Sequence, residues 1–226
     1  EGLPNTIYRA DYRAPDFGLT EVALEVRIEP GRTEVTATLE VVRRIAGHGP
    51  LTLDGEQLDL QWVELDGARL SEEQYELTEQ HLIIASVPDH FTLRTRVVIC
   101  PEDNTSLEGF YRSQSAYCTQ CEAEGFRKIT YFLDRPDVMA VYTVTLEARR
   151  TECPVLLSNG NLVKEESLDD GWHRAVWYDP FPKPSYLFAM VAGDLDAHSA
   201  KFKTTSGKKV DLNIYVEKGK ADQAAY

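Results

Sequence analysis

The chain has 226 residues, 42% of them hydrophobic and 10% aromatic, with 37 acidic against 24 basic side chains and a formal net charge of -13. That length and apolar content are enough to bury a core in one large domain or two modest ones. The acidic balance opposes a phosphate backbone and an anionic membrane surface, so neither nucleic acid nor membrane is expected as a partner, and no stretch nears the roughly 18 consecutive apolar residues of a spanning helix.

The first residues, Glu1-Gly2-Leu3-Pro4-Asn5, carry neither the basic nor the apolar region of a secretory signal. From Leu19 to Ile28, Val22, Leu24, Val26 and Ile28 alternate with Glu21, Glu25, Arg27 and Glu29, the period of a strand with one wet face. Pro30-Gly31-Arg32 supplies a turn, and Val35, Ala37, Leu39 and Val41 repeat the alternation, which predicts an antiparallel hairpin. Further strands are expected around Leu51 to Leu53, Leu58 to Leu65, Tyr75 to Leu77, Leu82 to Ile84 and Phe91 to Ile99, with a turn at Asp66-Gly67.

The segment from Glu102 to Asp137 leaves this rhythm and reads as a long loop of the kind that often carries function. Strands resume at Val141 to Leu146, Val155 to Leu157, Leu162 to Lys164, His173 to Trp177 and Tyr186 to Val191. The run Asp179-Pro180-Phe181-Pro182-Lys183-Pro184 reads as a strand-free connector, since proline cannot donate to a central ladder. A boundary is expected near Gly193-Asp194, followed by a hairpin of Lys201 to Thr205 and Val210 to Val216 around Ser206-Gly207-Lys208, and then, over residues 217–226, by the first turns of a helix. Many short strands joined by tight turns predict a mainly β chain, a β-sandwich or a saddle-like pair of sheets.

Chemistry is sparse. No H-E-x-x-H occurs, and the five histidines, His48, His81, His90, His173 and His198, never recur at the i, i+4 spacing that puts two imidazoles on one helix face. Nucleophile-elbow and phosphate-cradling motifs are absent too. The four cysteines, Cys100, Cys118, Cys121 and Cys153, are too few for a disulfide scaffold and read as reduced thiols of a cytoplasmic protein. Cys118-Thr119-Gln120-Cys121 is a C-x-x-C without a second pair, so packed or lining thiols are the better reading over a zinc or redox module. Glu122 and Glu124 are close in sequence, but in so acidic a chain a solvated loop explains them better than a glycosidase acid/base pair.

Three runs add to this reading: Glu108-Gly109-Phe110-Tyr111-Arg112-Ser113, Cys118 through Arg127, and Ile129-Thr130-Tyr131-Phe132-Leu133-Asp134-Arg135-Pro136-Asp137-Val138. In this order they closely resemble the N-terminal domain of the aminopeptidase N family of zinc aminopeptidases, in its bacterial alanyl aminopeptidase branch. Asp11 to Asp16, Leu156 to Asn161 and Asp179 to Ala189 agree, so the resemblance covers essentially the whole chain. It implies a saddle-shaped, β-sandwich-like N-terminal domain over residues 1–193 and, over 194–226, the first hairpin of a truncated thermolysin-like catalytic domain. The family's G-A-M-E-N and H-E-x-x-H motifs belong to the region beyond. Zinc is therefore implied for the full-length parent with its ligands outside this chain, and the fragment alone is expected to bind none and to be inactive. Peptides are the implied substrates, and the remainder of the catalytic chain the implied partner.

Within this span the resemblance assigns Glu122 to the substrate α-amine and Gln120 to the border of the pocket for the first side chain. A carboxylate that meets an ammonium terminus gains charge-assisted hydrogen bonds that a blocked terminus does not offer. Many relatives carry Asp-Glu-Pro where this chain has Asp134-Arg135-Pro136, and Asp134 to Val138 reads here as a structural turn. Composition and strand pattern without the resemblance support only a noncatalytic β-sandwich that binds or scaffolds.

Overall fold

The computed structural model describes residues 8–47 and 49–224. The N-terminal residues read for a signal, His48, and the last two residues of the segment expected to open a helix lie outside the described residues.

Alternating apolar residues build the largest sheet. Strands β1 (Phe17–Arg27) and β2 (Thr33–Arg43) form the predicted hairpin, its turn taken by Gly31 at φ 73°, and bury Val22, Leu24, Val26, Val35, Ala37, Leu39 and Val41 on one face. In chain order there follow β3 (Leu51–Asp54), β4 (Asp59–Leu65), β5 (Ala68–Arg69), β6 (Glu76–Leu77), β7 (His81–Ile84), β8 (His90–Ile99), β9 (Gly109–Ser113), β10 (Ala116–Gln120) and β11 (Met139–Arg149). The remainder are β12 (Val155–Ser158), β13 (Asn161–Ser167), β14 (Trp172–Pro184), β15 (Met190–Gly193), β16 (Leu195–Lys203) and β17 (Lys209–Glu217). Helical structure among the described residues is confined to short 3-10 turns.

These strands make four sheets, not a pair. An eight-stranded sheet runs β13-β14-β11-β1-β2-β8-β4-β5, a four-stranded one β12-β15-β10-β9, a three-stranded one β3-β7-β6, and β16 pairs with β17 alone. The large sheet is mixed, because β1 lies parallel to β11 while its other pairs are antiparallel. Its buried side chains join Leu51, Leu53, Leu82 and Ile84 of the three-stranded sheet and Phe110, Tyr117, Leu156, Met190 and Ala192 of the four-stranded sheet in one core. On its outer face, oppositely charged side chains meet across strands: Glu166 with Arg174 at 3.2 Å, Arg174 with Glu147, Glu147 with Arg27 at 3.0 Å, and Arg94 with Glu64 at 3.0 Å. Arg27 also lies 3.7 Å over the Trp172 ring. Each such exposed pair is worth about 0.2 to 1 kcal/mol, so the row mainly fixes register on a wet face.

Several expectations need correction. The proline-rich run is not a connector, because Pro180, Pro182 and Pro184 belong to β14. Past Tyr178, β14 pairs only with β11, through a bulge between Ala140 and Tyr142, and β13 no longer covers its other side. Prolines are tolerated at such a local edge. Residues 186–191 are not one strand, since Ser185–Leu187 forms a 3-10 turn and β15 begins only at Met190. The long 102–137 segment contains the β9–β10 hairpin. Within the segment expected to open a helix, Ala221–Ala224 forms a 3-10 helical turn.

Candidate functional site

The site region starts at the end of the β9–β10 hairpin. Gln120 pairs with Gly109 at the last rung, and the chain then turns sharply through residues 121–125. Two glycines make this turn possible. A Cβ on Gly125 would lie 2.4 Å from the Gln120 carbonyl oxygen and 2.8 Å from the Gly109 nitrogen, and one on Gly109, at φ 73°, would lie 2.9 Å from the Gly125 oxygen. Backbone packs on backbone here, with no room for a side chain.

The turn is anchored on both sides of its exposed tip. Cys121 is 2% exposed and Phe126 wholly buried, while Glu122, Ala123 and Glu124 between them face solvent. Phe126 packs against Phe132, Phe188 and Tyr142 with ring centroids 4.4, 5.1 and 6.3 Å away, an arrangement that adds aromatic geometry to burial. The Glu122-Ala123 peptide bond is cis.

Gln120 and Glu122 are thus brought together at one hairpin end. The Gln120 Nε2 donates to the Glu122 backbone oxygen at 3.0 Å, so this amide supports the loop whatever else it borders. Glu124 does not stand beside Glu122 as a second free acid, because its carboxylate lies 3.6 Å from Arg127. Among the described residues no hydrogen bond or ion pair engages the Glu122 carboxylate, which leaves it facing solvent on a loop with buried flanks.

The loop rests on residues to which the sequence assigns no part in the site. Asp134, whose side chain is fully buried, accepts from the Arg127 backbone N and Nε, each at 3.1 Å, and from Ser185 Oγ at 2.6 Å. Its own backbone N donates to Asp54 Oδ2 at 3.2 Å, and Asp54 exchanges backbone hydrogen bonds of 2.8 and 2.9 Å with Phe132. Asp134 was expected only to shape a turn. The signal available in sequence was an aspartate directly after the apolar Tyr131-Phe132-Leu133, but nothing local points to Ser185, 51 positions on.

The cysteines are free thiols, and Cys121 and Cys153 are buried. Burial, with the nearby Asp134 charge adding, pushes the Cys121 thiol up to about 12, and burial pushes Cys153 up to about 11. A buried Cys121 thiol pushed up in this way is a weak nucleophile, which argues against a redox role for this C-x-x-C. His173 is wholly buried, with Nε2 2.7 Å from the Cys153 carbonyl oxygen. Among the described residues no group of three or more His, Cys, Asp or Glu side chains is arranged to hold a metal ion, so these residues do not fit a zinc site.

The four-stranded sheet joins this loop to β15, the strand before β16. β10 runs antiparallel to β15, with Ala116 opposite Gly193 and Cys118 opposite Val191, so Glu122 lies at the other end of β10 from the point where the chain passes into β16. Against this geometry, the peptidase M1 N-terminal domain family matches residues 12–187. The chain belongs to that family. As an M1 N-terminal domain it is 49% identical to aminopeptidase N of Caulobacter vibrioides over 223 residues, covering 99% of this chain and 26% of that one. Among solved structures, Legionella pneumophila aminopeptidase A in complex with aspartic acid superposes with a TM-score of 0.92 at 35% identity, covering 96% of this chain and 26% of that one. An M1 zinc metallopeptidase from Deinococcus radiodurans, at 18% identity and a TM-score of 0.76, shares the fold over 90% of this chain and 48% of its own. The chain spans about a quarter of the length of the aminopeptidase N relatives it matches.

Proposed function

We propose that this M1 N-terminal domain serves a parent zinc aminopeptidase, which releases N-terminal residues from peptides, by supplying Glu122 to hold the substrate α-ammonium. Gln120 borders the pocket of the first side chain while its amide fixes the Glu122 backbone. Zinc and its ligands come from the rest of the parent, and the isolated domain is inactive. The observation that carries this reading is a carboxylate with no partner among the described residues, exposed on a loop that Cys121 and Phe126 pin from both sides. A carboxylate without a protein partner is free to meet a ligand, and the cation an exopeptidase must recognise is a free amine.

The same reading places a domain boundary at Gly193, with residues 194–226 opening the catalytic domain. Support comes from the β16–β17 sheet, which among the described residues pairs only with itself, contains no buried residue and exposes Phe202, Leu212 and Ile214 on one face. The four free thiols fit a reducing compartment, and we place the parent in the cytoplasm.

The deciding experiment is steady-state kinetics of the full-length parent carrying Glu122→Gln or Glu122→Ala. A lost charge-assisted hydrogen bond of about 1.5 to 3 kcal/mol lowers kcat/KM for free-amine substrates by about 10 to 150-fold. Unchanged kinetics in both variants would reduce the domain to a scaffold.

A further inference from the structure

Glu122 faces solvent, yet the loop that bears it is tied to a carboxylate with no solvent exposure at all. Asp134 binds Arg127 twice through Oδ2, once at the backbone N and once at Nε, and Arg127 Nη2 returns to the Asp134 carbonyl oxygen at 3.2 Å. Oδ1 takes the Ser185 hydroxyl at 2.6 Å. Asp134 therefore joins three separate pieces of chain: the Glu122 loop through Arg127, the 133–138 turn, and the 3-10 turn after β14. A buried charge with this many well-formed bonds has few alternative arrangements, because any other leaves it unpaired in a poor dielectric.

On the reading that Glu122 receives the α-amine, we infer that Asp134 is a positioning residue for Glu122 and acts through Arg127. The Arg127 backbone N is fixed by Oδ2, and the loop between Cys121 and Arg127 is short, so the direction in which residues 122–124 project is set from below by that contact. Arg127 also reaches Glu124 at 3.6 Å, which draws the second glutamate of the tip toward the clamp and away from duty as a free anion. The result is one uncommitted carboxylate on the tip in place of two.

The test uses the full-length parent enzyme and two metal-directed inhibitors that differ only in the α-amine, alanine hydroxamate and propionohydroxamate. The ratio of their inhibition constants reads the amine contact alone. Glu122→Gln should lower that ratio by about tenfold or more. Asp134→Asn and Arg127→Lys should each lower it by about threefold or more, with propionohydroxamate affinity unchanged within about twofold. Equal weakening of both inhibitors would mark a merely structural role and overturn the proposal. So would a full amine preference in Asp134→Asn and Arg127→Lys beside its loss in Glu122→Gln. An undiminished preference in Glu122→Gln would instead defeat the amine reading itself. Arg127→Lys keeps the charge and most of the stem, and it carries the test if Asp134→Asn does not fold.

Discussion

The Thr119 hydroxyl and the Met190 backbone exchange two hydrogen bonds: Oγ1 accepts from Met190 N at 3.0 Å and donates to Met190 O at 3.3 Å. A side chain thus stands in for a ladder rung just where β10 and β15 part, one residue before Gln120. Replacing Thr119 by Val keeps the shape and removes both bonds, leaving a half-buried N–H and C=O without partners. The expected cost is about 1 to 3 kcal/mol in urea unfolding, and Thr119→Ser should recover most of it.

Gly125 tests the tightness of the turn. Its missing Cβ would collide with the Gln120 carbonyl oxygen, a backbone atom that cannot swing aside. Gly125→Ala should therefore destabilise by about 1 to 3 kcal/mol and shift residues 120–122. A crystal structure or amide chemical shifts of the variant would display the movement. A neutral outcome in both stability and shifts would contradict the close packing described here.

Asp137 gives a pH dependence. Hydrogen bonds from Arg135 at 2.8 and 2.7 Å, and one from Tyr12 at 2.9 Å, hold its carboxyl down at about 2 from an ordinary 3.8, against partial desolvation. A depressed folded value stabilises above the unfolded value and loses that contribution as pH falls from about 4 toward 2. The carboxylate is partly exposed, so the effect is small after solvent screening. Wild type and Asp137→Asn should differ in stability at pH 6 and converge near pH 2 in a series of thermal melts.

The thiols divide by burial. Cys100 and Cys118 are partly exposed, whereas Cys121 and Cys153 are buried and pushed up to about 12 and about 11. Ellman's reagent at pH 8 should modify Cys118 and Cys100 in the native chain and reach the other pair only on unfolding, since thiolate character and access both govern the rate.

The β16–β17 hairpin can be removed. None of residues 195–224 is buried, so a chain ending at Gly193 should retain the thermal midpoint of the longer chain. It should also be more soluble, because Phe202, Leu212 and Ile214 go with the deleted part. A fall of more than a few degrees would show that the hairpin supports the domain.

Alternation made most strands legible, down to the turns at Gly31, Asp66-Gly67 and Ser206-Gly207-Lys208, because period and turn chemistry are local. Pro180, Pro182 and Pro184 misled because their tolerance depends on where β13 stops, which only the assembled sheet reveals. The parallel partner of β1 was equally invisible. Glu122 was reached through resemblance, since an exposed glutamate on a loop has no local mark of purpose. Asp134 was undervalued for a related reason: its worth lies in reaching Ser185 and Asp54, neither of which is near it in sequence.

The parallel pair at the middle of the large sheet bears on how the protein is made. Glu21 meets Val141 and Arg27 meets Glu147, in each case 120 positions later. A ribosome adding 5 to 20 residues per second leaves β1 waiting roughly 6 to 24 s for its parallel neighbour, with one side open. During that interval the nascent strand offers the unpaired edge on which chains join one another. Growth temperature and elongation rate should therefore govern the yield of soluble protein more than its equilibrium stability does.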